Sequence, residues 1–372
     1  MNEGVRLEAV ELRRVQMALV APFETSFGVQ TKRDILLVRV HTDAEAGWGE
    51  CVAGEEPVYS SEYVEAAQHV LIHHLLPRLF RSPRVSGNEV GTLLRAVHGH
   101  QMAKAAIEMA VLDAELRGRG ESFGTYFGAV RKEVDCGVSV GIHATIPALL
   151  ETVGGYVEQG YRRIKLKIKP GWDLEPVRAV RERFGAIPLQ VDANTAYSVS
   201  DAEHLAKLDP FDLLLIEQPL PEEQVLAHST LSKTVRTPIC LDESITSAQV
   251  AADAIAIGAC RIINIKPGRV GGYVEARRIH DVCAKSGVAV WMGGMLETGI
   301  GRAGNVAMAA MENFTLPGDT SASSRYYHRD ITEPFVLRDG RLKVPTGPGL
   351  GVTVDMEYLD SLTTWKETFR PS

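Results

Sequence analysis

Arg163-Ile-Lys165-Leu-Lys167, Leu189-Gln-Val-Asp192, Leu213-Leu-Leu-Ile-Glu217, Ile239-Cys-Leu-Asp242 and Arg261-Ile-Ile-Asn-Ile-Lys266 are five short apolar runs, each closed by a charge. Lys167, Asp192, Glu217, Asp242 and Lys266 follow one another at intervals of 25, 25, 25 and 24 residues. That interval is the length of one strand, loop, helix and loop, the repeat of a (β/α) barrel. Charges that close successive barrel strands converge on one mouth. Three carboxylates there form a site for a hard cation, and a lysine on either side forms a pair of proton-transfer groups.

The alternation extends both ways from this core. Strands are expected at 137–142, 163–168, 189–193, 213–217, 239–242, 261–266 and 288–292, all short, apolar and rich in Val, Ile and Leu, as in a parallel sheet covered on both faces. Helices fit between them over 175–184, from a capping box at Ser200 and Glu203, and over 273–285 before Gly287. An eighth strand is weakly marked, with Gly318–Ser321 the best candidate. Upstream, residues 5–20, 34–41 and a run starting at Gly47-Trp48-Gly49 read as strands. Residues 60–80, with Ser61 as N-cap, and 101–117, ending at Gly118 and Gly120, carry helical spacing. Strands followed by helices imply a separate α+β cap. Downstream, Asp339-Gly340 between two apolar runs marks a hairpin, in a tail expected to rejoin the cap. The expected divisions are 1–130 for the cap, 131–328 for the barrel and 329–372 for the returning tail.

A chain of 372 residues is long for one ordinary core, so a barrel with a second domain fits its length. It has 40 basic against 47 acidic residues, a net charge of −7, and no polybasic run, which disfavours nucleic acid and anionic membranes as partners. No apolar run approaches the ~20 residues of a membrane span, and no secretory signal is expected from the first residues. Five scattered cysteines without a CxxC pair read as reduced, buried thiols of a cytoplasmic protein.

In a barrel strand one face meets the axis and the other the helices, so Lys165, Lys167 and Lys169 are expected to point inward near the mouth. Asp192-Ala-Asn194, Glu217-Gln-Pro219 and Asp242-Glu-Ser244 follow their strands directly. A lone Asp after a strand is usually a helix N-cap, but three in register favour metal ligands. All-oxygen ligation favours Mg²⁺, Mn²⁺ or Ca²⁺ over zinc, with Mg²⁺ expected where open positions remain for water and substrate. Gly293-Gly294-Met295 offers backbone N–H groups to a substrate anion at the seventh strand's end. Two other matches are declined. Gly137-Val-Ser139-Val-Gly141 lies within a strand rather than at a nucleophile turn, and Gly299-Ile-Gly301-Arg-Ala-Gly304 comes last in the chain, not after the first strand of a dinucleotide fold.

With Phe23-Glu-Thr-Ser-Phe-Gly-Val-Gln30, Lys165-Leu-Lys167, Lys169-Pro-Gly-Trp172, Ile216-Glu-Gln-Pro219, Leu241-Asp-Glu-Ser244, Asn264-Ile-Lys-Pro267, Gly293-Gly-Met295 and Leu316-Pro-Gly-Asp-Thr320, the chain resembles the enolase superfamily. Within it, the likeness is to the muconate-lactonizing subgroup and its N-succinylamino acid racemase/o-succinylbenzoate synthase family. The resemblance implies a (β/α)7β TIM-like barrel with an α+β capping domain built from both chain ends. It implies Mg²⁺ or Mn²⁺ on Asp192, Glu217 and Asp242, with Lys167 and Lys266 as acid/base groups on opposite faces of the α-carbon. Lys165 would sit beside the substrate carboxylate, Ser139, Asn194, Gly294 and Met295 would contact substrate, and a loop carrying Phe23 and Phe27 would close over it. It further implies a homo-oligomer acting on a small carboxylate, by racemisation of N-acylamino acids, by dehydration to o-succinylbenzoate, or both. Dipeptide epimerases and muconate cycloisomerases are the alternatives; the former usually carry two acids after the eighth strand, where Asp319-Thr-Ser321 has one. A non-catalytic barrel is the remote alternative.

Overall fold

The computed structural model describes residues 4–371. Three antiparallel strands open the chain, β1 (Leu7–Thr25), β2 (Gly28–Thr42) and β3 (Ala46–Cys51). Helix Gln101–Arg119 packs on this sheet, and at β3 the approach is close: a Cβ on Gly47 or Gly49 would stand 2.2 Å from the Ala110 carbonyl or 2.0 Å from that of Ala106. Glycine at 47 and 49 therefore lets the helix backbone rest on the strand. The helix ends at Gly120, whose φ of 66° supplies the left-handed cap.

After the short strand β4 (Glu133–Asp135), seven parallel strands run in sequence order: β5 (Gly137–Val140), β6 (Arg163–Lys167), β7 (Leu189–Asp192), β8 (Ile216–Glu217), β9 (Ile239–Leu241), β10 (Ile262–Ile265) and β11 (Ala289–Met292). The expected eighth strand is not a strand. Single bridges from Val290 to Phe314 and from Cys136 to Gly318 instead tie segment 314–319 between β11 and β5, and this closes the ring. Leu215, Cys240, Ile262 and Trp291 cluster among the buried residues of adjacent strands, a packed barrel interior rather than a pore.

The tail returns as expected. Asp339 (φ 48°) and Gly340 (φ 73°) make the turn, but β12 (Arg341–Lys343) pairs with β4 rather than with residues 334–337. The last strand, β13 (Thr363–Phe369), adds antiparallel to β1 and completes a four-stranded sheet. Three local expectations are corrected. Helical residues begin at Val64 after Tyr63, not at Ser61, and a wide turn at Leu71–Leu75 interrupts them before Pro77. The capping box is Ser198 with Asp201, not Ser200 with Glu203. Lys169 lies past the end of β6, partly exposed and 3.2 Å from Glu24, because inward alternation stops where the strand stops.

Two buried carboxylates of the N-terminal sheet and helix fasten it to the barrel. Glu108 accepts the Val274 N–H at the start of helix Tyr273–Lys285 (3.0 Å). Glu50 accepts from Thr298 Oγ1 (2.6 Å) and the Gly301 N–H (3.0 Å) at the start of helix Gly299–Ala309. Acids at helix N-termini meet both free N–H groups and the positive end of the dipole. Glu50 thereby fills the place that a pyrophosphate would need at the Gly299–Gly304 motif. No described helix is long and apolar enough to cross a membrane.

Candidate active site

Alternation along the barrel strands places Lys165, Lys167, Asp192, Glu217, Asp242 and Lys266 on the inner face, all at most 8% exposed. In a ring of seven strands plus segment 314–319, Lys167 ends the second position and Lys266 follows the sixth, half a turn away. The three carboxylates occupy the third, fourth and fifth positions, on the arc between them. None caps the following helix; Ser247, for instance, caps the one after Asp242.

The carboxylates are held by cations of the chain itself. Lys167 Nζ lies 2.6 Å from Asp192 Oδ2 and donates to Asn194 Oδ1 at 2.6 Å. Lys165 Nζ reaches Glu217 (2.9 Å), Asp192 (3.3 Å) and Asp319 (2.7 Å), and stands 4.7 Å above the Trp291 ring. Lys266 Nζ lies 2.7 Å from Asp242 Oδ2 and donates to the Tyr59 hydroxyl at 2.9 Å, while Arg269 pairs with Asp242 Oδ1. Asn264 donates to Glu217 Oε1 at 2.7 Å. As these side chains stand, no three acidic, His or Cys groups among the described residues are gathered into a ready metal cage.

The electrostatics follow from this pairing in a dry site. Burial pushes Asp242 up, but Arg269 and Lys266 outweigh it and hold the carboxyl below its usual range. Burial works against the Lys266 and Lys165 ammonium groups, yet the facing carboxylates raise both above ordinary lysine. Glu243 has no such partner and is pushed up to about 7 by burial and then by Asp242 and Asp192. Its Oε2 is buried and unpartnered, while Asn194 Nδ2 donates to its Oε1 at 2.9 Å. Three buried strand-end carboxylates and the unbonded Glu243 Oε2 are donors of the type that a hard divalent cation takes, once they turn from their lysine partners toward one ion.

A cavity with about 60 Å³ of free volume lies above these groups. Phe23, Phe27, Ser139, Lys165, Lys167, Asn194, Lys266, Gly294 and Met295 all line it, so nine sequence-derived candidates meet in one space and the three carboxylates lie beneath. Ser139 is no free nucleophile: it sits inside β5 and donates to Asp319 at 3.0 Å. The element carrying Phe23 and Phe27 is a β-hairpin tip, with Thr25 opposite Gly28, rather than an irregular loop. Ser26 Oγ donates to the Asn194 carbonyl (3.1 Å), the Glu24 carbonyl accepts the Ile142 N–H (2.9 Å), and the Phe27 ring stands 5.8 Å from Tyr59. The Phe23 ring also packs against Tyr326 and under Arg325, and Lys169 pairs with Glu24, so the tip lies over the mouth.

Residues 8–127 match the mandelate racemase/muconate lactonizing enzyme N-terminal domain, and residues 148–358 the enolase C-terminal domain-like family. The chain belongs to the enolase superfamily. An N-succinylamino acid racemase of Amycolatopsis sp is 64% identical over 97% of this chain and 99% of its own. An o-succinylbenzoate synthase of Geobacillus kaustophilus is 48% identical over 98% of both. Among solved structures, an enolase-superfamily member from Listeria innocua superposes with a TM-score of 0.95 at 39% identity, covering 99% of this chain and 100% of that one. A dipeptide epimerase from Cytophaga hutchinsonii, complexed with Mg and a dipeptide, gives 0.87 at 25% identity over 98% and 99%. The superfamily's (β/α) barrel with an α+β cap is thus the architecture of this chain.

Sequence reading missed Asp319, Tyr59, Arg269, Asn264 and Glu243 as parts of the site. Asn264 and Glu243 had a signal, since each stands one or two places from a strand-end charge. Asp319 was noticed only as one acid where two were sought. Tyr59 lies outside the barrel and carries no pattern that ties it to the mouth.

Proposed function

We propose that this chain is an enzyme that removes the proton α to a carboxylate with the help of a divalent cation, racemising N-succinylamino acids, forming o-succinylbenzoate by dehydration, or both. The observation that carries this reading is the placement of Lys167 and Lys266 half a ring apart, with three carboxylates on the arc between them. Asp192, Glu217 and Asp242 would hold Mg²⁺ or Mn²⁺, which when bound supplies charge stabilisation for the enediolate of the substrate carboxylate. Lys165 would sit beside that carboxylate, and Lys167 and Lys266 would hold or move a proton at the α-carbon from its two faces. Ser139, Asn194 and the Gly294 and Met295 backbone would position the substrate. The 64% identical racemase and the 48% identical synthase support the substrate class. A dipeptide epimerase is disfavoured, because Asp319 is bound to Lys165 and Arg163 and has no charge left for a substrate amine.

The test is α-proton exchange: N-succinyl amino acids incubated in D₂O with the protein and Mg²⁺ are expected to lose the α-proton signal in NMR. Absence of exchange, together with no dehydration product, would assign the chain to the binding proteins. The hairpin tip gives a second expectation. Phe27→Ala should raise KM for N-acyl substrates by about 10-fold through lost apolar contact while the metal affinity measured by Mn²⁺ titration stays the same. Unchanged KM in both Phe23→Ala and Phe27→Ala would remove the tip from the site.

The same reading takes residues 1–130 as the cap, 131–328 as the barrel and 329–372 as the returning tail, which the pairing of β13 with β1 supports. It places a homo-oligomer in the cytoplasm, acting on a small carboxylate without nucleic-acid or membrane partners. Five buried free cysteines fit that reducing compartment.

A further inference from the structure

Four cationic side chains line the cavity, and three of them are neutralised. Lys165, Lys167 and Lys266 each lie within 2.7 Å of a carboxylate oxygen. The fourth is Arg33, which comes from β2 on the side of the cap. It is only 3% exposed, and no carboxylate among the described residues lies within 4 Å of its guanidinium. Nη2 donates to the carbonyls of Val52 (3.2 Å) and Ala53 (3.3 Å), which fixes the plane of the group. Nε is buried and has no hydrogen-bond partner. The neighbouring Arg14 shows the contrast, since it is partly exposed and paired with Asp34.

A buried guanidinium without a counter-ion is costly, and its planar fork of donors matches a carboxylate. The reacting carboxylate is expected beside Lys165, which enters the cavity from the barrel, whereas Arg33 enters it from the cap. Arg33 therefore fits a second carboxylate on the same ligand, separated from the first by the α-carbon and an acyl arm. Resting on the reading above, the chemistry narrows further: an N-succinylamino acid and o-succinylbenzoate share one feature remote from the reacting carbon, a succinyl group with its own terminal carboxylate. We propose that Arg33 receives this terminal carboxylate and selects dicarboxylic acyl groups over uncharged ones of equal length. One cation on the cap would then serve both reactions.

Calorimetric titration of the full-length protein in Mg²⁺ with N-succinyl-L-phenylalanine and with N-butyryl-L-phenylalanine tests this without requiring turnover. The wild type is expected to bind the succinyl compound roughly 10- to 100-fold more tightly, the range for a hydrogen bond to a charged group. Arg33→Gln, which keeps an N–H donor for the Val52 and Ala53 carbonyls, should lose that preference, and Arg33→Lys should regain part of it. General loosening of the cavity weakens both ligands alike and leaves their ratio unchanged. Equal affinities in the wild type, binding of neither ligand, or a preference that survives in Arg33→Gln would each overturn the assignment. A protein that keeps the preference but exchanges no α-proton would sink the catalytic reading and uphold this one.

Discussion

Lys167→Ala is expected to stop α-proton exchange for one enantiomer of an N-succinyl amino acid, Lys266→Ala to stop it for the other, and either change to end racemisation. The two amines reach the cavity from positions half a ring apart, so on the proposed reading a planar enediolate held over the carboxylates would present one face to each. Loss of one positioned acid/base group costs about 10²- to 10⁴-fold in its own proton transfer and leaves the other face working. Exchange in D₂O, followed separately from L and D substrates, reads each face alone. Dehydration needs proton chemistry on one face only. Lys167 is expected to act as its base and Lys266 to act mainly as a positive charge near the enediolate, so the two variants should differ in synthase activity as well. A Lys266→Ala protein that racemised at near wild-type rate would overturn the two-base assignment.

The barrel was legible in the sequence because its two periods coincide. A repeat of about 25 residues sets the strands, and a period of two within each strand decides which charges face the axis. Lys167, Asp192, Glu217, Asp242 and Lys266 satisfy both at once. Where only one period held, the reading failed: Lys169 alternates correctly with Lys167 but lies beyond the hydrogen-bonded strand, and it turns out to Glu24. The eighth position was poorly marked because it is held by single bridges rather than a ladder, so no run of β-formers was needed. Glycines at 47 and 49 were read as strand residues without the reason for them, which is the passage of helix Gln101–Arg119 2.0 to 2.2 Å from the missing Cβ positions. Arg33 was illegible for a different reason. Within Lys32-Arg33-Asp34 it looks like one charge of a polar turn, and only tertiary packing shows that Lys32 pairs at the surface with Glu55, Asp34 pairs with Arg14, and Arg33 is buried between them facing the cavity.

Dialysis against a chelator should abolish exchange, racemisation and dehydration together, and Mg²⁺ or Mn²⁺ should restore them. Deprotonating a carbon next to a carboxylate creates two negative charges on one small group, and hydrogen bonds from lysines alone do not stabilise that species enough at neutral pH. The paired side chains of the site sharpen the expectation. While Asp242 lies against Lys266, it raises the affinity of that amine for its proton, the reverse of what a base requires. A divalent ion that recruits Asp192, Glu217 and Asp242 would compete with these ion pairs, so cation binding and release of the lysines are expected to be one event. Asp242→Asn should then lower activity by at least about 10²-fold and weaken Mn²⁺ binding measured by electron paramagnetic resonance. It also leaves Arg269 and Lys266 buried without their partner, so a thermal melt should fall as well. Full activity in rigorously metal-free protein would refute the site; a variant that kept Mn²⁺ affinity while losing activity would remove Asp242 from the ligands and keep it as the group that holds Lys266.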